Sequence, residues 1–221
     1  MRPSQHNGRL ILLFISLALL GLAAGLVAWR IMAASKLAAA DSVIVLPEPR
    51  KIAPFALLDQ SGKAFTQDGF KGHWSLVFFG FTSCPDVCPN TLYQLQQARR
   101  VWLDEHADSD FPQVYLVTVD PERDTPQKLA AYLGYFDPVF TGLTGAAEQV
   151  QALASQLGIA IFIEPHTPDK LQYTVDHGAS LLLFDPLGQF YAVLPAPHDA
   201  ARMARDVLTV IRQEGRSHGR L

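Results

Sequence analysis

An apolar run, Trp74-Ser75-Leu76-Val77-Phe78-Phe79, leads directly into the only two cysteines of the chain, Cys84 and Cys88. The run is too short for a buried helix, so it predicts a strand covered on both faces. A helix-like segment follows from about Asn90, with Leu92, Leu95, Ala98 and Trp102 on one stripe. Positions i and i+4 share a helix face, so a first-turn geometry would point both sulfurs the same way. A helix N-terminus favours anions and is expected to lower thiolate pKa values there. Convergent thiols suit a structural bridge, a redox disulfide or a soft-metal site. A bridge closing so short a loop removes chain entropy worth only about 2 kcal/mol. Chemistry is therefore the better reading, and the spacing leaves redox and metal both open.

Strand and helix patterns alternate around this stretch. Phe55 to Phe65 predicts a hairpin turning at Ser61-Gly62, and Val114 to Val119 a second buried strand. Thr125 is placed to cap a helix that has Pro126 at its first position. Val150, Leu153, Ala154 and Leu157 make an apolar stripe that Gly158 stops, before a short strand over Ile159 to Ile163 and a polar loop over Glu164 to Leu171. Ser180 to Phe184 and Phe190 to Leu194 flank the turn Asp185-Pro186-Leu187-Gly188. A last helix over Asp199 to Arg212 would turn Met203, Val207, Val210 and Ile211 inward. The expected fold is α/β: a thioredoxin-like mixed central sheet flanked by helices, with the cysteine pair just after a core strand, and with an N-terminal transmembrane helix.

The transmembrane expectation comes from Leu10 to Trp29, which is almost wholly apolar. Twenty helical residues span roughly 30 Å, the thickness of a bilayer's hydrocarbon core. The expected organisation is a cytoplasmic tail over 1–9, an anchor over 10–31, a linker over 32–50, a thioredoxin-like domain over 51–214 and a frayed tail over 215–221. The rival reading is a cleaved signal peptide ending near Ala38-Ala39-Ala40. Arg2 and Arg9 precede the span while Arg30 and Lys36 follow it, so charge does not fix its orientation; the short tail favours an inside N-terminus. The formal net charge of -3 shows no basic excess, which argues against nucleic acid as a partner.

Of seven histidines, His177 stands apart. It ends the β-like run Tyr173-Thr174-Val175-Asp176 and precedes a buried strand, where a loop could lie near the cysteines across the sheet. By context alone, a surface-loop histidine remains the simpler reading.

Gly80-Phe81-Thr82-Ser83-Cys84-Pro85-Asp86-Val87-Cys88-Pro89 resembles the signature of the Sco/SenC family, membrane-anchored thioredoxin-fold copper proteins that serve cytochrome c oxidase assembly. Asp120-Pro121-Glu122-Arg123-Asp124-Thr125-Pro126, Gly142-Leu143-Thr144-Gly145 and Val175-Asp176-His177 resemble three further family motifs, in the family's order. The resemblance implies Cys84, Cys88 and His177 as copper ligands. The same two cysteines would form a redox disulfide that gates loading, and Asp176, Asp124 and Asp86 would lie close to the site. Asp176 or Asp124 could orient His177 or tune its charge. Two thiolates and an imidazole independently suit Cu(I), and also permit Cu(II). Zinc wants a fourth ligand, for which His166 or Asp86 would be available. The implied partners are the copper domain of cytochrome c oxidase subunit II, an upstream copper donor and a thiol reductant. The implied place is the inner membrane, crossed once, with the domain on the periplasmic side. Copper transfer would be the function rather than enzymatic turnover. The rivals are a membrane-tethered thiol–disulfide oxidoreductase and a redox or copper sensor.

Overall fold

The computed structural model describes residues 15–25, 42–106, 109–165, 167 and 173–217, and divides into two compact units, Met1–Ala39 and Ala40–Leu221. In the first unit residues 15–25 are helical with exposed side chains. Among the described residues no helix is long and apolar enough to cross a membrane. Residues 10–14 and 26–31 of the expected anchor lie outside the described residues.

The second unit contains strands β1 (Ile44–Arg50), β2 (Leu57–Asp59), β3 (Ala64–Phe65), β4 (Ser75–Gly80), β5 (Gln113–Thr118), β6 (Thr141–Thr144), β7 (Ile161–Ile163), β8 (Val175–His177), β9 (Leu181–Phe184) and β10 (Phe190–Leu194). Its helices are α1 (Val87–Glu105), α2 (Pro126–Phe136), α3 (Ala147–Gln156) and α4 (Ala200–Ser217). Eight strands form one mixed sheet in the order β1-β10-β9-β4-β5-β6-β2-β3, and β7 pairs with β8 in a separate antiparallel ribbon. β4 runs parallel to β5, β5 parallel to β6, and β9 antiparallel to β4. Thus β4-α1-β5-α2-β6 makes two successive crossovers, and the β9–β10 hairpin closes the other side. This is the expected thioredoxin-like sheet.

The central position of β4 explains its composition. All of its residues from Ser75 to Gly80 are buried, so every side chain must be apolar or small. On α1 the stripe Leu92, Leu95, Ala98 and Trp102 is buried as its spacing requires. Helix α1 packs against α4, and α2 against β6. The β2–β3 hairpin turns through Gly62 at φ +82°, a conformation only glycine adopts without strain. Thr125 caps α2 as expected, its side chain accepting from the Lys128 amide.

Two expectations fail at the edges of the domain. Residues 44–50, expected in the linker, form β1, hydrogen-bonded to β10 at the sheet edge. Ser42 is bound as well, its hydroxyl donating to the Asp206 carboxylate at 2.6 Å. An edge strand tolerates Pro47 and Pro49 because half its amides need no partner, and its mostly exposed side chains leave no alternation to read. Helix α4 runs to Ser217, into the tail expected to fray from Gly215, whose residues 218–221 lie outside the described residues. The Tyr191 hydroxyl donates to Glu214 at 2.8 Å and supports that last turn from β10.

Candidate metal centre

β4 ends at Gly80, whose carbonyl accepts from the Val119 amide at 2.9 Å. The chain then turns before α1 begins at Val87. Cys88 therefore lies in the first helical turn, while Cys84 lies before the helix. The expected shared helix face is not what brings the sulfurs together. The turn does so: the Cys84 amide donates to the Phe81 carbonyl, and the Cys88 amide donates to Cys84 Sγ at 3.4 Å. Cys88 is fully buried, Cys84 partly so, and both are free thiols. Gly80 makes room beneath them, since a Cβ there would sit 3.0 Å from Cys88 Sγ.

The expected easy ionisation of Cys88 also fails. Burial pushes its thiol far above the ordinary cysteine range, and contact with Cys84 pushes the same way. Desolvation of a thiolate at a fully buried position outweighs the helix terminus. Such a sulfur is a poor free nucleophile. A bound cation reverses the balance, because coordination removes the thiol proton outright.

His177 is the last residue of β8 and pairs with Ile161 of β7. Its Nε2 stands 3.4 Å from Cys88 Sγ, and its Nδ1 is 3.0 Å from the Gly178 carbonyl. A carbonyl only accepts, so Nδ1 carries the proton and the Nε2 lone pair of the neutral ring faces the sulfurs. Phe78 and Phe81 stand edge-on to the imidazole at 6.0 and 5.7 Å. Burial lowers the His177 pKa, against opposing pulls from the Gly178 carbonyl and the Asp176 charge. The ring is thus held neutral and ready to ligate. The ligand atoms of Cys84, Cys88 and His177 all lie within 4.8 Å of one another. Two sulfurs and one imidazole nitrogen, walled by phenylalanines, form a cluster suited to copper.

The expected supporting carboxylates divide. Asp176 is exposed and reaches His177 only through its charge; the Gly178 carbonyl orients the ring instead. Asp86 is the exposed N-cap of α1, makes no side-chain cap bond, and stands outside the ligand cluster. His166 lies outside the described residues. Asp124 is fully buried and serves the cysteine turn rather than the histidine. It accepts from the Thr82 amide at 2.9 Å, the Thr82 hydroxyl at 2.5 Å and the Thr118 hydroxyl at 2.7 Å. Its own carbonyl accepts from Thr144 at 3.0 Å. The Gly142 motif thereby gains a role: Gly142 lets α2 approach β6, since a Cβ would meet Leu129 at 2.8 Å, and Thr144 braces the Asp124 backbone. Thr82, Thr118 and Thr144 carry no signal that singles them out in the sequence, because a threonine's partner is set by the fold.

A family model described as SCO1/SenC matches residues 46–212. A relative from Stutzerimonas stutzeri is 40% identical over 157 residues, 71% of this chain and 74% of its own. "Protein sco1" of Schizosaccharomyces pombe is 35% identical over 76% of this chain, which spans 64% of that relative's length. Among solved structures, Arabidopsis thaliana ScoI with copper bound is 31% identical, with a TM-score of 0.67 over 73% of this chain and 98% of that one. Yeast Sco1 with copper bound is 30% identical, with a TM-score of 0.69 over 74% of this chain and 90% of that one.

Proposed function

Since the chain belongs to the SCO1/SenC family, we propose that it is a copper carrier that holds the ion on Cys84, Cys88 and His177 and delivers it to the dinuclear copper centre of cytochrome c oxidase subunit II. The observation that carries this reading is the convergence of the three ligand atoms, one from the turn after β4, one from the first turn of α1 and one from a histidine 89 residues beyond Cys88. The partly exposed Cys84 and the buried Cys88 suit hand-over by ligand exchange, with an incoming thiolate reaching the outer sulfur first. Oxidation of the pair to a disulfide would pass two electrons and two protons to an oxidant and remove two ligands, so loading requires a thiol reductant. We place the domain on the periplasmic side of the inner membrane, anchored by the apolar segment over 10–31, with a copper donor upstream. The delivery test is direct. Cu(I)-loaded protein is mixed with the metal-free subunit II copper domain, ferricyanide is then added to take one electron from the transferred copper pair, and the absorption of the resulting mixed-valence centre is followed. The spectrum should appear with wild type and not with Cys84→Ser. Equal spectra from both would end the delivery reading.

One observation favours a second role. The partly exposed Cys84 can attack a disulfide on the copper acceptor to form a mixed disulfide, which Cys88 then displaces, so that the acceptor leaves as a dithiol and the pair is left as a Cys84–Cys88 disulfide. In that case His177→Ala would retain exchange with an oxidised subunit II peptide while losing copper transfer.

A further inference from the structure

The sheet puts the cysteines and His177 on separate segments, so something must fix the distance between them. The loop after β5 touches both. Its Asp124 grips Thr82 in the cysteine turn, as described above. Its Asp120 and Arg123 grip Tyr173, two residues before β8. The Tyr173 hydroxyl donates to Asp120 Oδ1 at 2.6 Å. The Arg123 guanidinium lies 3.7 Å over the Tyr173 ring and donates to the Tyr173 carbonyl at 3.3 Å. Arg123 also pairs with the same Asp120 carboxylate, which is 1% exposed. The assembly is buried enough to resist competition from water, Tyr173 itself being 9% exposed. The Arg123 guanidinium further faces Phe81 at 5.5 Å, and Phe81 stands edge-on to the His177 ring.

We propose that Tyr173 is the positioning residue for His177: Asp120 and Arg123 hold it, and through β8 it sets the imidazole over the two sulfurs. Among the described residues the β7–β8 ribbon makes no strand pairing with the main sheet, so its place depends on side-chain contacts such as these. Tyr173 is not one of the three ligand residues and acts through His177. The loop over Asp120 to Asp124 is then a single brace with one arm on each half of the centre. Loss of the Tyr173 arm leaves the thiol pair intact and releases the histidine.

This inference rests on His177 being a copper ligand, as proposed above, and a double-mutant cycle separates the two. Cu(I) alone is titrated anaerobically, against a competing chromophoric chelator, into the full chain carrying Tyr173→Phe, His177→Ala, or both. Tyr173→Phe keeps the ring beneath Arg123 and removes one hydrogen bond, and thermal melts confirm that each variant is folded. A side chain that orients a metal-binding histidine is worth about tenfold in affinity. Tyr173→Phe is therefore expected to weaken Cu(I) binding about tenfold in the wild-type background and not at all in the His177→Ala background. Arg123→Gln, which removes the other half of the grip, should behave the same way. Equal losses in both backgrounds, or no loss in wild type, would overturn the positioning role. If His177→Ala itself binds as tightly as wild type, the histidine is no ligand, and the copper site falls together with the brace.

Discussion

Replacing Asp124 with Asn tests how the cysteine turn is held. Asp124 is fully buried and accepts three hydrogen bonds, two from Thr82 and one from Thr118, with Lys128 Nζ 3.6 Å away. Asparagine keeps the volume but turns one acceptor into a donor, which then faces a donor on Thr82 or Thr118. Thr118 is fully buried and cannot turn to water. A hydrogen bond to a charged group contributes about 1.5–3 kcal/mol, and a stranded buried donor costs about 1–3 kcal/mol. Thr82 is half-buried and can recover part of its loss from solvent. The net cost should be about 3–4 kcal/mol, a large share of the 5–15 kcal/mol typical of a domain. With an m-value of about 2 kcal/mol/M, the urea midpoint should fall by about 1.5–2 M at unchanged slope. Because Thr82 leads into the cysteines, Cu(I) affinity should fall with stability. A midpoint shift under about 0.5 M, with copper binding unaffected, would refute the reasoning that this carboxylate organises the turn.

Further outcomes follow from the same contacts. Gly80→Ala would drive a methyl to within 3.0 Å of Cys88 Sγ and 2.9 Å of Phe78, so it should cost about 1–3 kcal/mol and weaken Cu(I) binding, as urea melts and a chelator titration would read. Thr125→Ala removes the α2 cap and should cost about 1 kcal/mol in the same melts, with copper affinity unchanged. Burial lowers the pKa values of His73, His177 and His198, so the unfolded chain binds more protons than the folded one as pH falls from the ordinary histidine value near 6.5. Stability of the metal-free protein should therefore be complete above that value and decline below it; urea midpoints that are flat or rising from pH 7.5 to 5.5 would contradict the burial of these rings.

Much of the fold is legible from local pattern because burial follows it. The stripe Leu92, Leu95, Ala98, Trp102 and the unbroken apolar β4 each face a core, and composition records that directly. Residues 44–50 are illegible for the opposite reason: an exposed edge strand leaves no alternation, and its prolines imitate a tether. The extension of α4 to Ser217 depends on Tyr191, a partner 23 positions away in sequence. The cysteine pair announces itself by type and spacing. Its mutual geometry does not, because Pro85 and Asp86 sit between Cys84 and the helix start. The meeting of His177 with Cys88 crosses 89 positions; the end of a β-like run sets the histidine apart without making it a ligand, and the family resemblance supplies that. The true work of Asp124 was likewise hidden, since a turn aspartate before Thr125-Pro126 suggests a helix start rather than a clasp on Thr82.

The most direct test is anaerobic Cu(I) titration of the reduced protein beside Cys84→Ser, Cys88→Ser, the double Cys84→Ser/Cys88→Ser variant and His177→Ala. Wild type should take up a single copper per chain, and each replacement should weaken it by about tenfold or more. Unchanged affinity in His177→Ala, or copper uptake that survives loss of both sulfurs, would show that the three-residue cluster is not the copper site.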